Sequence, residues 1–180
     1  MSLNKIETHV AMGRLSQTGS GEDGRITMKD LLDSGVVTKI KHGVKLVASD
    51  RIGPHYKRRA SAGPGPTPSR GYGLAYPLDL EVTRASRQAI EAVEAAGGRV
   101  TAAHYNRLGL RALLKPAKFG DDGALLPRRA RPPPKMREYY TRFENRGYLS
   151  VEAQLEAQLR RLGVEGAVDF DAMRRESTKE

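Results

Sequence analysis

The segment LDLEVTRASRQAIEAVEAAGGRVTAAHY, Leu78 to Tyr105, changes its hydrophobic period twice within one short span, and few folds accommodate that. Leu78, Leu80 and Val82 alternate with polar residues, as in a strand covered on one face. Ser86 is placed to cap a helix in which Ala89, Ile90, Val93 and Ala96 form a single apolar stripe, and Gly97 supplies the positive φ that ends it. RVTAAHY, from Arg99, then resumes a strand. Strand, helix and strand over this length are close to the ~30 residues of a minimal right-handed βαβ crossover. The pattern predicts an α/β fold and leaves open whether the two strands are neighbours.

The flanks add short elements. Leu3, Ile6 and Val10, ahead of Gly13, predict an amphipathic helix. A second helix is expected after Thr27, with Asp30 completing a capping box and Gly35 stopping the turn. Gly43 to Ser49 (GVKLVAS) reads as a strand by its β-branched content, although its apolar residues do not alternate cleanly. Downstream, Met136, Tyr139, Tyr140 and Phe143 are spaced along a helical face that ends near Gly147. Ser150 then opens a helix with Val151, Leu155, Leu159 and Leu162 on one side and Gly163 at its end. The final stretch, DAMRRESTKE, is charged and expected to fray. The chain thus divides into an N-terminal helix and linker (1–25), an α/β core (26–114) with a basic Pro-rich insertion (51–77), a basic Pro-rich arm with an aromatic helix (115–149), and a C-terminal helical extension (150–180).

Two stretches concentrate the positive charge. Arg51 to Pro77 holds five Lys or Arg, no Asp or Glu, and four prolines before Ser69; Ala124 to Arg137 holds five basic residues and no acid. Proline removes amide donors and fixes φ, so such segments stay out of a sheet interior and run extended over a surface. Each reads either as a solvated loop or as a binding arm. The missing acids and the stiffening favour the second, because a high positive potential is presented at reduced ordering cost. Across the whole chain 31 Lys and Arg face 21 Asp and Glu, a net charge of +10 and a pI near 10.0. That balance favours an anionic partner, most often nucleic acid, since Lys and Arg neutralise phosphates and release counterions. An acidic membrane surface is the weaker reading, and no apolar run approaches the ~20 residues needed to cross a bilayer.

Catalytic and metal chemistry find little support. Zero Cys excludes disulfides, thiolate metal sites and cysteine nucleophiles. GSGEDG (Gly19 to Gly24) matches a dinucleotide fingerprint in form only, because no strand precedes it and Glu22 and Asp23 would face the pyrophosphate. His9, His42, His55 and His104 lack ligand spacing and are expected to be solvated or packed. Asp121 and Asp122 between Gly120 and Gly123 read as a turn before a Mg²⁺ site. Tyr139, Tyr140, Phe143 and Tyr148 could stack bases, but their helical spacing favours packing. An enzyme is not expected: there is no nucleophile with a base and no phosphate loop.

The order of elements carries a resemblance. ITMKDLLDSGVV, then GVKLVA, then LDLEVTRASRQAIEAVEAAGGRVTAAHYN, resembles the C-terminal half of large-subunit ribosomal protein fifteen. SLNKIETHVAMGRL before this core, with LLKPAKF and LLPRRARPPPKMREYYTRFENRGYLS after it, resembles the mitochondrial branch of that family, and the matches run from Leu3 to about Ser150. The resemblance implies a single compact α/β domain of irregular β-β-α turns, carrying basic Pro-rich loops and a C-terminal helical extension. It implies no catalysis and no cofactor, and a structural place in the mitochondrial ribosome against large-subunit ribosomal RNA and neighbouring proteins. The family's long glycine-rich basic N-terminal arm has no counterpart here, and MSLNKIETHVAMGRL is not an Arg- and Ser-rich transit peptide. On this reading Arg51, Lys57, Arg58, Arg59 and Arg70 in one arm, and Arg128, Arg129, Arg131, Lys135 and Arg137 in the other, are the expected RNA contacts. The rival is a non-ribosomal RNA-binding or RNP-assembly module using the same arms.

Overall fold

The structure is a computed structural model that describes residues 1–21, 24–48, 74–120 and 126–162. Its elements run α1 (Leu3–Ala11), α2 (Met28–Asp33), β1 (Lys45–Leu46), β2 (Asp79–Val82), β3 (Arg84–Ala85), α3 (Arg87–Ala95), β4 (Arg99–Ala102), α4 (Arg107–Leu114), α5 (Pro134–Thr141) and α6 (Val151–Arg161). Single 3-10 turns lie at Pro116–Phe119 and Phe143–Asn145. Among the described residues no helix is long and apolar enough to cross a membrane. Most of the insertion 51–77, the Asp121–Asp122 turn and Gly163 lie outside the described residues.

The crossover closes as expected, and its two strands are neighbours. β2 and β4 pair in parallel from Asp79 opposite Arg99 to Val82 opposite Ala102. Parallel strands cannot be joined by a hairpin, so α3 must carry the chain back across the sheet. Its start is fixed by the Ser86 hydroxyl oxygen, which accepts from the Ala89 amide at 3.3 Å, and its end by Gly97 at φ +79°. Gly98 then passes so close to the start of β2 that a Cβ there would sit 2.4 Å from the Leu78 carbonyl oxygen.

The extended run Asp79–Ala85 changes partners halfway. Along β2 it pairs with β4 on one edge and with Ile26 on the other, through Ile26 N to Asp79 O at 2.7 Å and Glu81 N to Ile26 O at 2.9 Å. Beyond Thr83 it becomes β3, which pairs in parallel with β1. β3 and α4 have no counterpart in the sequence expectations. β1 is shorter than the strand expected over 43–49, since Val47 is linked to Ser2 by a single parallel bridge.

The larger of the hydrophobic clusters among the described residues runs through these layers, and Met28, Val44 and Leu110 form a smaller one. Leu3, Ile6 and Val10 of α1 join Ile26, Leu31, Leu46, Leu80, Val82, Ile90 and Val93 in the larger, so α1 is part of the packed domain. α2 begins with the expected capping box: the Asp30 carboxylate accepts from the Thr27 amide at 2.7 Å and hydroxyl at 2.9 Å, and also from the Ser20 hydroxyl at 2.6 Å. Gly19 N donates to Gly24 O at 2.8 Å, and the Ser20 bond to Asp30 ties this stretch to α2; Glu22 and Asp23 lie outside the described residues.

The C-terminal part departs from its pattern. A helical face through Met136, Tyr139, Tyr140 and Phe143 is expected to run to Gly147, but α5 stops at Thr141, where Arg142 turns extended. Arg146 then takes the left-handed conformation at φ 51° and reaches the Glu94 carboxylate at 2.9 Å, which pulls the chain onto α3. Tyr140 is fully buried and donates to the Thr83 carbonyl at 3.2 Å; Tyr139, Tyr140 and Tyr148 meet edge to face. The aromatic group therefore packs, as its spacing favoured. α6 forms, yet three of the four residues on its expected apolar side are exposed, Val151 at 78%, Leu155 at 42% and Leu162 at 77%, while Glu156 ties the helix to Arg99.

Burial alone would raise the Asp30 pKa, but the hydrogen bonds from Ser20 and Thr27 outweigh it and hold the carboxyl below its usual range. A depressed folded pKa means stability that is present above the unfolded value and is lost as pH falls through the folded one. Urea unfolding should therefore lose stability on acidification below about pH 4, with Asp30→Asn flattening that limb and costing roughly 1 kcal/mol at pH 7. Gly98→Ala should lower the urea midpoint by an equivalent of about 1–3 kcal/mol at constant slope, through overpacking against Leu78.

Candidate nucleic-acid interface

The carboxyl ends of β2 and β4 lie side by side because the pair is parallel, and the residues that leave them enter one cleft. Thr83 and Arg84 follow β2; His104, Tyr105, Asn106 and Arg107 follow β4; Lys41 to Lys45 approach from β1. The cleft holds about 420 Å³. Four cations line it, Lys41, Lys45, Arg84 and Arg107, and among the described residues no carboxylate does. Like charges at a concave wall raise the local potential, since the low-dielectric surroundings focus the field into the opening.

Local structure sets each group. The Asn106 side-chain oxygen caps α4 by accepting from the Gly109 amide at 2.6 Å, which fixes where Arg107 starts the helix. Arg84 lies 5.0 Å over the Tyr139 ring, so its guanidinium is held by an aromatic face rather than an acid. His104 meets the edge of Tyr140, and burial lowers its pKa, which leaves the imidazole neutral at pH 7.

Beside the cleft, a buried carboxylate fastens the second basic arm. Glu81, only 8% exposed, accepts from Arg129 at 2.6 Å and from the Tyr105 hydroxyl, and Arg25 stands 3.7 Å away. Arg129 also lies over the Tyr105 ring at 5.0 Å and the Tyr148 ring at 5.3 Å. Burial works against its charge, but the Glu81 carboxylate outweighs that and keeps the guanidinium protonated; burial and the same carboxylate raise the Tyr105 pKa. Of the expected contacts, Arg129 anchors the arm with its side chain still 38% exposed, and Arg128, Arg131, Lys135 and Arg137 are also exposed, the last two in the first turn of α5. Arg51, Lys57, Arg58, Arg59 and Arg70 lie outside the described residues.

Lys41, Lys45, Arg84 and Arg107 were not among the expected contacts. A signal existed for three of them: no Asp or Glu occurs between Asp33 and Asp50, nor between Glu94 and Asp121, the same acid-free character that marks the arms. Arg84 carries no such signal. Among the described residues no group of three or more His, Cys, Asp or Glu could hold a metal ion.

The model of the family of ribosomal proteins that comprises 50S-L15, 50S-L18e and their 60S counterpart matches residues 1–101. The chain is similar to "Large ribosomal subunit protein uL15m" of Schizosaccharomyces pombe, 33% identical over 83% of this chain and 48% of that protein. It is similar to the protein of the same name from Danio rerio, 42% identical over 41% of this chain and 25% of that one. "Large ribosomal subunit protein uL15" of Methylorubrum extorquens is 32% identical over 56% of this chain and 44% of its own length. The chain spans about half the length, or less, of the curated relatives it matches.

Glu81→Gln should release the arm. Trypsin is expected to cut after Arg128 and Arg129 several-fold faster than in the unaltered chain, and stability should fall by about 1–3 kcal/mol as Arg25 and Arg129 lose their shared carboxylate.

Proposed function

The chain belongs to the ribosomal protein family of 50S-L15, 50S-L18e and their 60S counterpart, and from that premise we propose that it is a structural constituent of the large subunit of the mitochondrial ribosome. It binds ribosomal RNA and neighbouring large-subunit proteins and performs no catalysis. Relatives named as large ribosomal subunit proteins in two eukaryotes and a bacterium support the subunit, and the uL15m name of the two eukaryotic ones supports the compartment.

The observation that carries the RNA-binding reading is the cleft lined, among the described residues, by four cations and no carboxylate, next to an arm that Glu81 holds in place. Phosphates are the matching ligands. Arg128, Arg131, Lys135 and Arg137 extend the positive surface along the arm, and Arg51, Lys57, Arg58, Arg59 and Arg70 are proposed to serve likewise from the insertion. Because the arm is tied down before RNA arrives, less ordering entropy is spent on binding. Phosphate contacts position a protein without reading sequence, so specificity comes from fitting one RNA tertiary surface.

In filter binding to large-subunit ribosomal RNA, changing Arg128, Arg131, Lys135 and Arg137 together to Gln should reduce the slope of log affinity against log salt by up to roughly 3, at ~0.7 to 0.9 per phosphate contact. An unchanged slope removes the arm from the interface. The full chain should also co-sediment stoichiometrically with the large subunit; binding to RNA without that co-sedimentation would instead support a non-ribosomal RNP module.

A further inference from the structure

The cleft has a composition that simple backbone binding does not need. Beside its four cations the cleft has an apolar lining: Val44 and Leu110 are 6% and 5% exposed, Tyr140 is fully buried, and Met136 is 37% exposed. A phosphate alone gains nothing from such a wall, and an apolar side chain from a protein gains nothing from four cations. A nucleotide requires both.

Size points the same way. About 420 Å³ lies within the ~300–1,000 Å³ range of sites that enclose small ligands. A single base with its phosphate combines an apolar face with an anion in a volume of this order, and bases leave the stack only in loops, bulges and strand ends. The polar groups suit a base edge. Asn106, which lines the cleft, spends its side-chain oxygen on the Gly109 amide and has its amide hydrogens left to donate, and His104, packed on Tyr140, offers a neutral ring with one donor and one acceptor. The Thr83 hydroxyl, by contrast, is already engaged by the Val44 amide at 3.3 Å and Met28 Sδ at 3.4 Å.

We propose that the cleft between the carboxyl ends of β2 and β4 takes one unstacked nucleotide of RNA, its phosphate on Lys41, Lys45, Arg84 and Arg107 and its base against Met136 and the Leu110 wall beside Asn106. This rests on the RNA-binding reading above and deepens it. The protein then recognises an unpaired position in the RNA, in addition to gripping backbone.

The test uses the full chain with a fluorescein-labelled eight-nucleotide RNA, single-stranded or fully paired, followed by anisotropy. The single strand should bind at least ten-fold more tightly than the duplex. Met136→Ala, at an exposed edge, and Asn106→Asp, which preserves the helix cap, should each bring that ratio down to three-fold or less, with thermal melting confirming that both variants fold. Lys41→Gln combined with Arg107→Gln should weaken both RNAs. Equal affinity for the two RNAs, or a ratio that survives both Met136→Ala and Asn106→Asp, overturns the nucleotide site, while weakening of both RNAs by the cation pair would still sustain the RNA-binding reading. No binding of either RNA overturns the nucleotide site, and the RNA-binding reading then stands or falls on filter binding to large-subunit ribosomal RNA.

Discussion

The parallel pairing of β2 with β4 governs the rest of the molecule. Two parallel strands end at the same side, so whatever follows each of them is delivered to one place. Here that place collects Thr83 and Arg84 from one strand and His104 to Arg107 from the other, and the change of partner at Thr83 brings β1 with Lys41 and Lys45 alongside. The crossover helix α3 contributes none of the described residues that line the cleft. Its buried stripe of Ala89, Ile90 and Val93 holds the two strands in register, and its far end receives Arg146 from the C-terminal segment.

Glu81 is the second organising element, because it is an acid placed among bases. A carboxylate this buried is costly unless paired, and it is paired three ways, by Arg129, Tyr105 and Arg25. The arrangement neutralises one positive charge and exchanges it for position: the arm beyond Arg129 is held beside the cleft with Arg128 and Arg131 exposed. Net charge attracts an anion, but fixed charge geometry decides which anionic surface fits.

The crossover was readable from the residues alone, down to its cap at Ser86 and its stop at Gly97, since both are properties of a few consecutive residues. So were α1, α2 and the packed role of the tyrosines. α4 was missed because its one clear start signal, Asn106, is followed by a helix interrupted by Gly109, and β3 because a two-residue strand has no period to detect. The long helix expected through Phe143 breaks because Arg146 bonds to Glu94, a partner 52 residues away that no local pattern contains. The open side of α6 shows the converse: an apolar stripe states that a face can be buried, not that an element exists to cover it.

The amino-acid order by itself determined the α/β class, the caps and stops of most elements, the excess of positive charge and the stretches that lack acids, because each depends on neighbours along the chain. Only the tertiary structure decided that Lys41, Lys45, Arg84 and Arg107 share one concave wall, and that Arg129 turns inward to Glu81 while its neighbours face out. Electrostatic potential and cavity shape depend on distances in space, and residues as far apart as Lys41 and Arg107 acquire a distance only when β1, β3 and β4 have found their places.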